Sequence, residues 1–180
     1  MRAAFVLLML LPLAPLPGQR ALPSRGEIAA VEESLYRKLR TFDINAPIDV
    51  LGLPRGLYLE GYGVVFSAEI NLLQTAGISP FRPKVTPEEV ARVRAAKQKR
   101  LPEVRAMMRQ MLVDSAASLD RVPMNEQVVL GFVFAGHSWE DRRGLPELIT
   151  MQAKRQILVD AATRRASPEA LAAALKVREE

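Results

Sequence analysis

The chain reads as an α+β protein. The expected architecture is an antiparallel-rich sheet of about four strands, in two hairpins, packed under a long kinked helix. An amphipathic helix precedes this unit and short helices follow it. Three observations carry the reading. A proline-free stretch over 56–73 is dominated by aromatic and β-branched residues and holds Gly61 and Gly63 in its middle. A second stretch, over 126–135, is apolar at both alternating sets of positions. Between them, a segment opening on Thr86-Pro87-Glu88-Glu89 keeps apolar residues at helical spacing as far as Leu119.

Composition narrows the functional classes. With 180 residues, 49% hydrophobic and 25% charged, the chain has room for one domain with a real core. There is no cysteine, which removes disulfides, thiolate metal sites and a cysteine nucleophile together. His137 is the only histidine, so zinc motifs of the H-E-x-x-H kind are also excluded. No cofactor and no metal are expected. The formal charge of +5 is carried by nineteen arginines and six lysines. That is modest for a nucleic-acid binder, so no nucleic-acid partner is expected, although weak attraction to an anionic lipid or envelope polymer is permitted.

The start of the chain has the layout of a secretory signal. Met1-Arg2 gives a short positive region, residues 3–16 are apolar apart from prolines, and Pro17-Gly18-Gln19-Arg20 breaks the run. The run is shorter than the about 20 residues a membrane-spanning helix needs. Pro12, Pro15 and Pro17 would spoil a buried helix. Residues 1–18 are therefore expected to be a signal peptide, cut near 18–21, with no transmembrane segment left after its removal. The protein is expected to be exported, either periplasmic or secreted.

The single domain is expected over 22–165. Ser24-Arg25-Gly26-Glu27 fits a capping box, and Ile28, Val31, Leu35, Leu39 and Phe42 follow at helical spacing to about Thr41. Asn45, Pro47, Gly52 and Pro54 mark an irregular connection. In the 56–73 stretch, Gly61-Tyr62 suits a two-residue II′ turn, with Leu59 facing Val64, Tyr58 facing Val65 and Leu57 facing Phe66. The alternative is one long strand bent at its glycines.

In the long helix, Val90, Val93, Leu101, Val104, Met108, Met111, Leu112 and Leu119 form one stripe at about 100° per residue. The stripe keeps its phase across Pro102, which predicts a kinked helix rather than two. Lys97 falls inside the stripe, so the turn over 94–100 is expected to lift away from the core. The 126–135 stretch reads as a central strand covered on both faces. The short apolar run over 148–153 should pair back on it. Lys154 to Arg164 and then Ser167-Pro168-Glu169 open short helices, and the 166–180 segment is expected to end in a frayed tail.

The loop over 136–146 is the densest collection of reactive groups. His137 suits a general base near neutral pH, with Glu140 or Asp141 orienting it, and Ser138 is the adjacent hydroxyl. Against this, catalytic triads assemble from positions distant in sequence, and no G-x-S-x-G elbow occurs. The structural reading makes Trp139 a residue packed on the sheet edge among solvated charges. Arg92, Arg94, Lys97, Lys99 and Arg100 spread around the helix rather than lining one face, as a polyanion stripe would. Glu60 and Glu69 are too far apart along the strands for a glycosidase pair.

The sequence thus predicts an exported, non-catalytic domain acting through contacts with a protein or the cell envelope. Its candidate binding residues are Tyr62, His137, Trp139 and Arg142. Two alternatives stand beside it: a small exported hydrolase using His137 with Glu140 or Asp141, and a weak binder of anionic lipid or cell-wall polymer.

Overall fold

A computed structural model of the chain describes residues 22–81 and 84–180; the apolar run over 1–18, read as an export signal, lies outside them. The elements follow in the order α1 (Arg25–Thr41), β1 (Asp49–Val50), β2 (Arg55–Leu59), β3 (Gly63–Asn71), α2 (Pro87–Ala117), β4 (Gln127–Phe134), β5 (Leu148–Lys154), α3 (Arg155–Ala162), α4 (Pro168–Ala174) and β6 (Lys176–Glu179). The architecture is α+β: a mixed, mostly antiparallel sheet of six strands, rather than four, with the long α2 packed against it.

Three of the four helices start where a side chain satisfies an otherwise orphaned backbone donor, whereas α3 follows Lys154 with no side-chain cap. Ser24 Oγ accepts from the Glu27 N–H at 3.1 Å, Thr86 Oγ1 from Glu89 at 3.2 Å, and Ser167 Oγ from Ala170 at 3.2 Å. The 31-residue α2 runs through Pro102 as one helix. Burial of Leu101, Val104, Met108, Met111 and Leu112 offsets the roughly 3 kcal/mol that an interior proline costs.

The turn between β2 and β3 corrects the expected register by one residue. Leu59 faces Gly63, Tyr58 faces Val64 and Leu57 faces Val65, so Glu60, Gly61 and Tyr62 form a three-residue connection. The Tyr62 N–H donates to the Leu59 carbonyl at 3.0 Å, and Gly61 takes φ +78°. Gly63 is drawn into the ladder because the next residue pair, with Gln127 donating to the Tyr62 carbonyl at 2.8 Å, fixes it against β4.

Both expected strand pairs are antiparallel, β2 with β3 and β4 with β5. Between them β3 and β4 run parallel, joined by the crossover through α2. The short β1 pairs with the far end of β3 on the same edge as β2, giving the order β1/β2–β3–β4–β5–β6.

The tail does not fray. β6 pairs antiparallel with β5, the Glu180 N–H donates to the Leu148 carbonyl at 3.0 Å, and Arg105 grips Glu179 through two bonds of 2.7 Å. A charged stretch joins the sheet here because the ladder is made by the backbone and the carboxylate has a cation waiting on α2.

Side chains alternate along the strands, so the register defines two faces. On the inner face Val64, Phe66, Ala68 and Ile70 meet Val128, Leu130, Phe132 and Phe134, under α1 and α2. On the outer face the expectation that β4 is covered on both sides holds at Val129, 7% exposed, and at Gly131, and is corrected only toward the end of the strand. On this face Leu57 is 61% exposed, Leu59 44% and Val133 44%. An unbroken apolar run marks a strand in the middle of the sheet order, and here that position brings a helix layer to one face only.

The free edge of β2 is closed by α1. The Gly56 N–H donates to Glu32 Oε1 at 2.7 Å, and Arg25 bonds both oxygens of that carboxylate while reaching the Gly56 carbonyl. These bonds occupy the backbone groups at the start of the β2 edge and so oppose pairing with another chain there.

A buried and a half-buried polar group give testable expectations. Arg155 lies at the carboxyl end of α2, where its guanidinium donates to the Ala116 carbonyl at 3.1 Å and the Val122 carbonyl at 3.0 Å. Arg155→Ala is expected to cost about 3 kcal/mol in urea unfolding, since it strands buried acceptors at the negative end of the helix dipole. Tyr58 donates to Glu126 Oε1 at 3.3 Å; burial first and then the neighbouring carboxylate push its phenol up to about 12. An alkaline ultraviolet titration of the three tyrosines should therefore show one ionising late, and Tyr58→Phe should remove that phase.

Candidate functional site

The loop between β4 and β5 leaves the sheet at the carboxyl end of the parallel β3–β4 pair. That end is where open sheets with helical crossovers most often place their ligands. The first turns of α2 lie beside it, and their cations meet the acids of the loop.

At the centre Lys97 and Glu140 form an ion pair whose side chains are 3% and 2% exposed. Glu140 also accepts from Thr75 Oγ1 at 2.7 Å and from the His137 backbone N–H. Burial pushes the Glu140 carboxyl up, but the bonds from Lys97, Thr75 and His137 and the Lys97 charge outweigh it and hold it below its ordinary value.

The expectation that the 94–100 turn lifts from the core is therefore corrected. Lys97 sits inside the apolar stripe because a distant loop delivers a carboxylate to it. Arg100 is likewise buried, donating to the Leu72 carbonyl at 2.8 Å and to Asp43 at 3.3 Å. Arg94 donates to Asp141 at 2.8 Å. The basic run is largely turned toward acids and carbonyls of its own chain.

His137 sits above this network. Its ring Nε2 lies 2.9 Å from the Thr75 carbonyl, and the ring stacks on Trp139 with centroids 6.0 Å apart and planes 11° from parallel. Trp139 is half-buried, and its Nε1 is buried without a hydrogen-bond partner. Arg142 donates to the Phe134 carbonyl at 2.6 Å, pinning the loop to the end of β4.

The structure thus brings His137, Trp139, Glu140, Asp141 and Arg142 into one loop. The carboxylates that the hydrolase reading assigns to orienting the imidazole are held by cations. Glu140 is on Lys97, and Asp141 is on Arg143 and Arg94, which keep it far below the ordinary carboxylate range. Ser138 is exposed.

Tyr62 lies elsewhere. It precedes β3 at the opposite end of the sheet, roughly 25 Å away at the usual strand rise. From there its hydroxyl reaches Gln152 Oε1 at 3.4 Å, across the position of β4. Glu60 and Glu69 sit at the two ends of β3 as well.

Sequence reasoning missed Thr75 and the pairing of Lys97 with Glu140. The signal was present, since a lysine in an apolar stripe requires either exposure or a buried counter-charge. A cavity of about 480 Å³ opens beside Thr75 between the loop before α2 and α2 itself, with Asn45, Gln74 and Arg92 on its walls.

Among the described residues no group of three or more histidine, aspartate or glutamate side chains is placed to hold a metal ion, and no helix is long and apolar enough to cross a membrane. No protein-family model matches the chain, and neither a curated protein nor a solved structure is detectably similar to it.

Proposed function

We propose that this protein is an exported domain that acts by contact rather than catalysis, docking a protein or another component of the cell envelope. The observation that carries the proposal is the outer face of the sheet. Leu57 and Leu59 on β2, with Val65 beside them on β3, form an apolar strip that no helix covers, and Val129, paired with Val65, continues it on β4. Large exposed apolar side chains grouped on one face mark interaction surfaces more often than they mark accident. Export is supported by the charged-then-apolar pattern of residues 1–18.

The test is a photo-crosslinking amino acid placed at Leu57 and, as a control, at the exposed Arg109 on α2, each in cells of the native host. A discrete adduct in the envelope fraction from position 57, absent from position 109, is the expected result. Equal adducts at both positions, or none at either, would remove the outer face from the proposal. A hydrolytic activity that disappears in His137→Ala would overturn the non-catalytic reading and favour the loop.

A further inference from the structure

We infer that the cleft at the β5 end of the outer face binds a small organic anion, with an apolar body and a single carboxylate head. The cleft is distinct from the 136–146 loop and has a volume of about 380 Å³, within the range of small-molecule sites. Its apolar part is Ile157 and Ala174, contributed by α3 and by the end of α4, and Ala153, whose own side chain faces the inner core, lines it from the end of β5.

Its polar part is an excess of donors. Lys154 and Lys176 both line it, and among the described residues neither ammonium has an ion-pair or hydrogen-bond partner. The register sets Gln127 opposite Lys154 and Gln152 opposite Lys176, so two amides alternate with the two cations along adjoining strands. Gln152 uses its amide oxygen to accept from Tyr62, which leaves its N–H₂ group to donate.

The single acid in the lining does not balance this. Asp160 already accepts from Arg165 at 2.9 Å and from Gln156 Nε2 at 2.9 Å. Two unpaired cations, two amide donors and a compensated carboxylate make a site that complements negative charge. The apolar wall beside them distinguishes an amphipathic anion from a bare phosphate. A carboxylate between the lysines would replace water on both ammonium groups with charge-assisted hydrogen bonds.

The experiment is a titration of the protein with octanoate at low salt, tracked by backbone amide shifts in nitrogen-15 NMR. Saturable shifts centred on Gln127, Gln152, Lys154 and Ala174 are expected, with octan-1-ol at least about tenfold weaker for want of the charge-assisted bonds. The Lys154→Gln/Lys176→Gln variant changes only exposed side chains, so its spectrum elsewhere should match the parent while octanoate binding falls about tenfold. Equal affinity for octanoate and octan-1-ol, or undiminished binding in the double variant, would overturn the assignment. So would shifts confined to Leu57, Leu59 and Val65, which would place the ligand on the apolar strip instead. Because the strip and the cleft respond at different amides, failure here leaves the contact reading of the outer face standing on its own test.

Discussion

Replacing Lys97 by methionine is expected to destabilise the fold by about 3–5 kcal/mol, because it leaves the Glu140 carboxylate buried without its counter-charge. Loss on that scale is a large fraction of a typical domain's stability, and urea unfolding would register it as a lower midpoint. The second substitution Glu140→Gln, made in the Lys97→Met background, should restore much of the loss. The amide removes the stranded charge while its oxygen still accepts from Thr75.

The pH dependence gives an independent check, and its sign reverses between parent and variant. In the parent the folded-state pKa of Glu140 is depressed. The group therefore contributes stability above its unfolded value of 4.5, and that contribution is lost as pH falls through the lower folded value. Without Lys97, burial is the dominant influence and raises the folded pKa, so acid should relieve the variant. Relative to the parent, Lys97→Met should recover between about pH 6 and pH 4. A variant whose deficit is the same at both pH values would show that the pair adds nothing specific to the fold.

Gly63→Ala should cost at least about 4 kcal/mol, enough to threaten folding altogether. Two effects combine there. The residue has φ +135°, a region side chains rarely enter, and an added Cβ would lie 1.9 Å from the Gln127 carbonyl oxygen. That oxygen belongs to the neighbouring strand of the parallel pair, so relief requires β3 and β4 to separate. Gly61→Ala is the matched control, with φ +78° and no atom within 4 Å of the new methyl. It should lose only the roughly 1–2 kcal/mol of left-handed strain. Thermal unfolding of the two variants side by side separates strain from collision. Similar losses would mean that the turn, rather than the β3–β4 contact, sets the requirement at Gly63.

The parts of this fold that were legible in the sequence are those decided by neighbours in the chain. Ser24, Thr86 and Ser167 announce their helices because a cap bonds to a donor three residues on. The paired glycines announce a hairpin, though not its length, since the choice between two and three turn residues depends on the bond from Gln127 of another strand to the Tyr62 carbonyl. The parallel pairing of β3 with β4 carries no local mark at all. Neither does the sixth strand, whose Lys-Val-Arg-Glu sequence looks solvated until Arg105 and the β5 backbone are placed beside it.

The same division holds for the candidate site. The loop with His137 and Trp139 stood out by composition, but the charges around it were read as solvated. Their partners, Lys97 on α2 and Glu140 on the loop, are brought together only by the tertiary structure. The outer face was hidden for the opposite reason. An apolar strand looks the same in sequence whether one face or both are covered, and Val133 gives no sign that it points away from the helices.

The parallel contact at the centre of the sheet also bears on how this chain reaches its native state. The flanking hairpins can close earlier, since their strands are joined by three and thirteen residues, whereas β3 and β4 meet only after the whole of α2 has been spanned. Contacts of such long sequence separation are slow to form, because loop-closure entropy must be met before any pairing is gained. Until then Val128, Val129, Leu130, Phe132, Val133 and Phe134 form an uncharged, proline-free window of the kind that associates between chains. Refolding yield should therefore fall as protein concentration rises, and Val133→Lys on the outer face should improve it while leaving the native inner core intact.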